Sequence, residues 1–268
     1  MEGQPDRGTA RGVMSVAYIQ ALRNLALKLE TLKIHGHDKV AVTGDDWKNQ
    51  MRAKLNELNK KTAAKGKTSS GVAVAQVSDK SLDSIRAEVE NCQKCALGKT
   101  RTNTVFGVGD PDARLMFIGE GPGAAEDLQG EPFVGRAGKL LNDMIQAMGL
   151  KRSDVYIANI VKCRPPGNRD PLPEESAQCM PYLMRQLKMI RPEYVCALGA
   201  VPAKNLLERN EPIGKLRSSF HDFMGTQFMA TYHPSYLLRN PAAKAESWKD
   251  LKMIMDKMGL KDPRGKNV

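Results

Sequence analysis

Arg-Leu-Met-Phe-Ile-Gly-Glu-Gly-Pro-Gly-Ala-Ala-Glu-Asp-Leu-Gln-Gly-Glu-Pro-Phe-Val-Gly-Arg-Ala-Gly, residues 114–138, is the stretch around which the chain is organised. Leu115 to Ile118 form an apolar run that reads as a buried strand. The run stops at Gly119, and a glycine-rich loop follows. After Gly135, residues Leu140, Leu141, Met144, Ile145 and Met148 recur at helical spacing. Strand, loop, helix is the layout of an α/β ligand site, which opens at the carboxyl ends of the strands. The loop does not suit phosphate. It has no Gly-Lys-Ser/Thr ending and no strict GxGxxG, and Glu120, Glu126, Asp127 and Glu131 would repel a pyrophosphate. A small neutral or polar ligand fits better.

Outward from this stretch, apolar runs alternate with helical patterns. A helix starts at Ser81-Leu82 and leads to Cys92-Gln93-Lys94-Cys95. The second strand is 155–161, and a proline-rich loop, 162–173, follows it. A helix from about Glu174 ends before Arg191-Pro192. The third strand is 193–198, and a helix runs through Leu207. Another strand, 227–231, leads to His233-Pro234, and a last helix spans about 241–258. Such alternation predicts a parallel sheet with helices on both faces. Residues 81–268 are expected to form this domain. Residues 1–80 read as an extension: residues 1–12 disordered, an amphipathic helix over 14–33, a weaker helix over 46–60, and a linker over 61–79.

The 268 residues carry a formal net charge of +11, shared between the extension and the domain. This favours an anionic partner, nucleic acid first. No apolar run approaches the ~20 residues that cross a bilayer, and no signal peptide is visible at the first residues. Five cysteines in a chain of this size do not suggest a disulfide scaffold. A reducing, cytoplasmic and nucleoid-associated setting is expected.

Cys92, Cys95, Cys163 and Cys179 come from two separated segments and suit a four-thiolate site. Spacing alone does not separate zinc from iron–sulfur, or either from reduced thiols. Cys196, inside a strand, reads as a small buried hydrophobe. The strand ends also bring polar groups to one edge: Glu120, Asn159 and His233, with Phe133 in the adjoining loop. An Asn amide can pair with one edge of a base, a Phe can stack on it, and a His can hydrogen-bond an oxygen that gains charge. Each alone reads more readily as a turn cap or a core residue, and it is their joint placement at the strand ends that suggests a base-sized pocket. His233-Pro234-Ser235-Tyr236-Leu237-Leu238-Arg239 suggests either an apolar wedge for a duplex or a helix start with core leucines.

At these residues the chain resembles the family 4 uracil-DNA glycosylases of the uracil-glycosylase superfamily, over about Leu82 to Leu260. The likeness rests on Cys92-x-x-Cys95, Gly119-Glu120-Gly121-Pro122-Gly123 with Glu126-Asp127, Gly130 to Gly138, Tyr156 to Asn159, Lys162 to Arg169, Cys179, and His233 to Arg239. It implies a three-layer α/β/α domain with a central four-stranded parallel sheet, and a [4Fe–4S] cluster on Cys92, Cys95, Cys163 and Cys179. It implies a monofunctional DNA repair enzyme that flips uracil from single- or double-stranded DNA and hydrolyses its N-glycosidic bond. Phe133 would stack on uracil, Asn159 would read its O4/N3 edge, and His233 would face O2. Gly119, Glu120, Gly121 and Glu126 would line the pocket, with Glu126 crowding the 5-methyl of thymine. Arg136, Arg164, Arg169, Ser235, Leu237, Leu238 and Arg239 would meet DNA. Many superfamily members have an aspartate where this chain has Gly121, so Glu120 is the candidate for handling water. Family members often carry Arg-Gly where this chain has Arg217-Ser218. A monomer is expected, with no membrane and an unidentified replication or repair partner. The competing expectations are a non-enzymatic iron–sulfur DNA-binding or redox-sensing protein and a glycosylase for another deaminated base.

Overall fold

The computed structural model describes residues 81–263. The readings made for residues 1–80 lie outside the described residues. Within them a six-stranded mixed sheet is flanked by helices on both faces. In chain order the elements are α1 (Leu82–Glu90), β1 (Val108–Gly109), β2 (Leu115–Gly119), α2 (Ala124–Gln129), α3 (Arg136–Ala147), β3 (Tyr156–Asn159), α4 (Pro173–Ile190), β4 (Tyr194–Leu198), α5 (Ala200–Leu207), α6 (Ile213–Leu216), β5 (Phe220–Phe223), β6 (Thr226–Thr231), α7 (Pro234–Arg239) and α8 (Lys244–Met258). The sheet order is β1-β3-β2-β4-β6-β5.

The four expected parallel strands, β3, β2, β4 and β6, form the centre. Two antiparallel edge strands, β1 and β5, extend the sheet beyond the expected four. They carry little apolar signal: β1 has two residues, and β5 is Phe-His-Asp-Phe with no fully buried position. Helices α2 and α6 are also additions to the sequence reading, each six residues or fewer and bordered by glycine or proline, whereas α7 is the helix start, one of the two readings of its turn.

β2 is buried along its whole length, as its apolar run predicts. Period two splits its side chains between two cores. Met116 and Ile118 join Val89, Leu183, Val195 and Phe228 on one face. Leu115 and Phe117 join Leu141, Ile145, Cys196 and Ile254 on the other. Cys196 is fully buried, as expected of a mid-strand hydrophobe. The helix ends follow local chemistry. Ser81 Oγ accepts the Ser84 N–H at 3.3 Å and caps α1. Pro173 opens α4 at a position where its missing N–H costs nothing. Arg191 turns left-handed at φ 51°, and Pro192 prevents continuation.

A buried ion network ties the sheet to α8. Asp250 accepts from Arg217 through two bonds of 3.0 Å, from Ser218 Oγ at 3.0 Å and from Thr231 Oγ1 at 2.7 Å. Ser218 sits at φ 60°, where glycine would be less strained. Its hydroxyl bond to Asp250 offsets that strain, so the departure from Arg-Gly keeps a function in the fold.

Candidate active site

Neighbouring parallel strands end at the same edge of the sheet, and here that edge collects the polar residues. Gly119 ends β2 and Asn159 ends β3, directly opposite each other. The pairing continues beyond them: Ile160 N–H donates to Gly119 O at 2.9 Å and Val161 N–H to Glu120 O at 3.1 Å. A Cβ on residue 119 would lie 2.4 Å from Asn159 Oδ1 and 2.6 Å from the Phe133 ring. Only glycine lets these two side chains converge. Asn159 is 1% exposed, and its Oδ1 is a buried acceptor without a partner among the described residues. An unpaired buried acceptor costs about 1–3 kcal/mol.

Phe133 is held in place from behind. Its backbone is left-handed, φ 53°, a conformation that a bulky residue adopts only when the surroundings fix it. Gly138 supplies the room, because a Cβ there would meet Phe133 O at 1.8 Å. Glu126 supplies the hold: its carboxylate accepts the N–H groups of Gly123 at 3.1 Å and of Val134 and Gly135 at 3.0 Å each. Glu126 therefore has a role in the loop beyond the one expected of it: both of its oxygens hold backbone N–H groups. α2, which carries Glu126, is itself tied down where Asp127 accepts the Thr102 N–H at 2.9 Å and the Asn103 N–H at 3.3 Å.

His233 is the N-cap of α7. Its Nδ1 accepts the Ser235 N–H at 3.1 Å and faces the Ser235 hydroxyl. Burial, then the charge of Arg239, push its pKa down to about 4, against the pull of Glu126. The ring is therefore neutral at pH 7. With Nδ1 accepting, the proton resides on Nε2. Its ring lies 5.7 Å from that of Phe133, tilted by 34°. Glu120 is pushed up to about 7, by burial first and then by Asp170, which also hydrogen-bonds it. A Cβ on residue 121 would sit 2.7 Å from Val161 Cγ2, so an aspartate at position 121 would require Val161 to move.

The four expected cysteines converge. Cys92, Cys95, Cys163 and Cys179 line one cavity, beside Arg101, Lys162 and Tyr182. Arg101 donates to Cys163 Sγ at 3.2 Å, and the Lys162 N–H to Cys179 Sγ at 3.3 Å. Burial pushes the Cys179 thiol up to about 11, with Lys162 pulling the other way. Among the described residues no three His, Cys, Asp or Glu side chains gather closely enough to hold a single ion.

The residues expected to touch DNA divide. Arg136, at the start of α3, and Arg239, at the end of α7, are exposed. Arg164 is braced on Asn168 at 2.8 Å. Arg169 is exposed and makes two 2.8 Å bonds to the buried Glu175 carboxylate, which itself accepts the Leu172 N–H at the start of α4. Ser235 is turned to His233. Leu237 is a correction: it is 1% exposed and belongs to the core, so the two-leucine wedge is not present. Leu238 is half-buried. The exposed large side chain of α7 is Tyr236, at 39%, stacked on Tyr232. Sequence reasoning gave no role to Tyr236 and Lys162, which lie inside the motifs of the resemblance, or to Asp170 and Gln186. Only helical phase along α7 would have distinguished Tyr236 from Leu237, and Asp170 and Gln186 carry no local signal.

Comparison with known proteins supplies an independent line. The profile of the Uracil DNA glycosylase superfamily matches residues 106–252. A Type-4 uracil-DNA glycosylase of Archaeoglobus fulgidus is 45% identical over 191 residues, which is 68% of this chain and 96% of that protein. One of Thermotoga maritima is 45% identical over 59% of this chain and 84% of its own length. One of Pyrobaculum aerophilum is 43% identical over 65% and 92%.

Proposed function

The chain belongs to the uracil DNA glycosylase superfamily, and from that premise we propose that it excises uracil from DNA by hydrolysing the N-glycosidic bond. The observation that carries this reading is the buried, unpaired Oδ1 of Asn159 beside the Phe133 ring and His233. Uracil offers an N3–H donor next to an O4 acceptor. Asn159 Oδ1 accepts the first and its Nδ2 donates to the second. Cytosine presents the opposite pair at both positions and is rejected. A ligand that satisfies Oδ1 also removes the cost of leaving it bare.

The basic chain grips phosphates, Arg136 and Arg239 among its contacts, so binding weakens with salt. The base leaves the stack at a cost of a few kcal/mol, less in single strands or at a mismatch, and lies against Phe133 with Gly119, Glu120 and Gly121 around it. The C1′–N1 bond breaks, and its electron pair passes to the base and gathers on O2. The Nε2–H of neutral His233 donates to that oxygen, and a preorganised donor of this kind is worth about 2.7–4 kcal/mol. Water attacks C1′, and Glu120 is the carboxyl that takes its proton, with Asp170 behind it. The products are free uracil and an abasic site. The Nζ of Lys162, the lysine nearest Asn159 in the chain, is bonded to Asn159 O and Gln186 Oε1. It forms no Schiff base, and strand cleavage is not expected.

Cys92, Cys95, Cys163 and Cys179 hold a [4Fe–4S] cluster in this reading. The donor set supports it: four sulfurs around one cavity, with Arg101 and Lys162 N–H groups aimed at two of them. Such a cluster, when bound, supplies a tie that pins the 162–178 loop beside the DNA path. Iron and sulfide assays, with a broad absorption near 400 nm, test it, and a colourless zinc-loaded protein refutes it. The proposal also covers a monomer at the nucleoid, and a division of the chain at residue 80. A non-enzymatic DNA-binding or redox-sensing protein would need the cysteines and the positive charge, but not Asn159, Phe133 and His233. Release of free uracil from a uracil-containing oligonucleotide tests the function, and its absence refutes it.

A further inference from the structure

Lys162 is 1% exposed, and its ammonium lies among uncharged partners. Nζ donates to Asn159 O at 2.9 Å and to Gln186 Oε1 at 2.6 Å, and neither acceptor is a carboxylate. Gln186, itself fully buried, is fixed by its other end, where Nε2 donates to Phe106 O at 3.0 Å and to the Tyr156 hydroxyl at 3.3 Å. Lys162 also lines the cavity of the four cysteines, beside Cys163 and Cys179. The same residue touches the cysteine cavity through its main chain, where its N–H donates to Cys179 Sγ. One residue therefore bonds a sulfur with its backbone and the carbonyl of Asn159 with its side chain.

We infer that Lys162 is a positioning residue that couples Asn159 to the cysteine centre. The inference rests on the reading of the four cysteines as cluster ligands and of Asn159 as the base-reading group. The main-chain N–H of Lys162 holds the Cys179 sulfur at the cavity wall. The ammonium in turn anchors the end of β3 at the carbonyl of Asn159, next to its unpaired Oδ1. Loss of the Nζ donor should loosen both ends of this link: the Asn159 carbonyl loses its donor, and the main chain that bonds Cys179 loses its anchor.

The test begins with iron and sulfide in the wild-type chain, because a wild-type protein free of both brings down the cluster reading and this inference with it, before any variant is made. Lys162→Met removes the charge and keeps the volume. Lys162→Gln keeps an amide donor and carries the test if the methionine variant does not fold. Each is expected to retain iron at purification but to surrender it to a chelator faster than wild type. Each is expected to lose kcat by on the order of 10–100-fold, the usual size of effects from groups that orient a ligand-bearing or catalytic residue, with KM for uracil-containing DNA nearly unchanged. Gln186→Leu, which leaves the bond to Asn159 in place, should release iron at the wild-type rate. The inference is overturned if Lys162→Met turns over like wild type, or if its activity falls only in proportion to its iron content.

Discussion

The main-chain N–H of Ser235 donates to Nδ1 of His233 over 3.1 Å, and this bond decides which ring nitrogen carries the proton. The backbone of α7 thus fixes His233 as an Nε2–H donor before any substrate arrives. His233→Ala should slow single-turnover uracil release by on the order of 10²–10³-fold, the usual loss for one preorganised donor. Nitrogen chemical shifts of the ring should show a neutral imidazole protonated at Nε2. The acid behaviour has a definite sign. The pKa falls from 6.5 in the unfolded chain to about 4 in the folded one. Between these values the unfolded state binds more protons, so stability is lost as pH falls from about 6.5 to 4. His233→Ala should flatten that part of the stability profile.

Asn159→Ala should abolish most activity without weakening the fold. The wild-type side chain keeps an unpaired buried acceptor, and its removal should leave stability unchanged or higher by about 1 kcal/mol. Thermal or denaturant unfolding of the variant checks this. A variant that is both inactive and strongly destabilised would mean that Asn159 is a structural residue.

Glu126→Ala removes the acceptor for three backbone N–H groups at once. Hydrogen bonds to a charged group are worth about 1.5–3 kcal/mol each, so a loss of at least ~2 kcal/mol in stability is expected. Release of Phe133 from its left-handed backbone should cost a further ~10²-fold in rate, the scale of a small misplacement at a reacting centre. Glu126→Gln, which keeps one oxygen, should fall between this variant and wild type in both measurements.

Glu120 titrates near neutrality because burial and Asp170 raise its pKa to about 7. As the group that accepts the proton from water, it must be ionised, so the rate should rise with pH and level off above about 7. Asp170→Asn removes a negative neighbour and should move this inflection to lower pH. Stability has the opposite sense from that of His233. The folded state holds a proton on Glu120 between about 4.5 and 7 that the unfolded state gives up, so its contribution is present below that window and is lost as pH rises through it. A pH–rate profile of Asp170→Asn identical to wild type would remove Asp170 from the site.

The central strands were legible because their burial is written as continuous apolar runs, Leu115 to Ile118 being the clearest. The strand ends carry Asn159 and His233, so the outline of the pocket followed from them. What stayed hidden depends on tertiary contact. β5 is a half-exposed edge with no apolar alternation, and α2 looks like loop because glycines flank it. Glu126 reads as one acid among several in its loop, and its three backbone partners show only in the fold. Leu237 and Tyr236 are adjacent in sequence, and only the phase of α7 sends one into the core and the other to solvent. Lys162 follows an apolar strand like any surface lysine, and its burial depends on Gln186, 24 positions away.

Uracil excision is the central claim, and one measurement reaches it directly. The purified protein is incubated with oligonucleotides carrying a single uracil, hypoxanthine, xanthine or G-paired thymine, and half of each reaction is then heated in alkali. Breakage confined to the uracil substrate and seen only after alkali is the predicted result, since it reports an abasic site left by a monofunctional enzyme. An intact uracil strand after alkali would contradict the account, and breakage at another base instead would assign the pocket to that base.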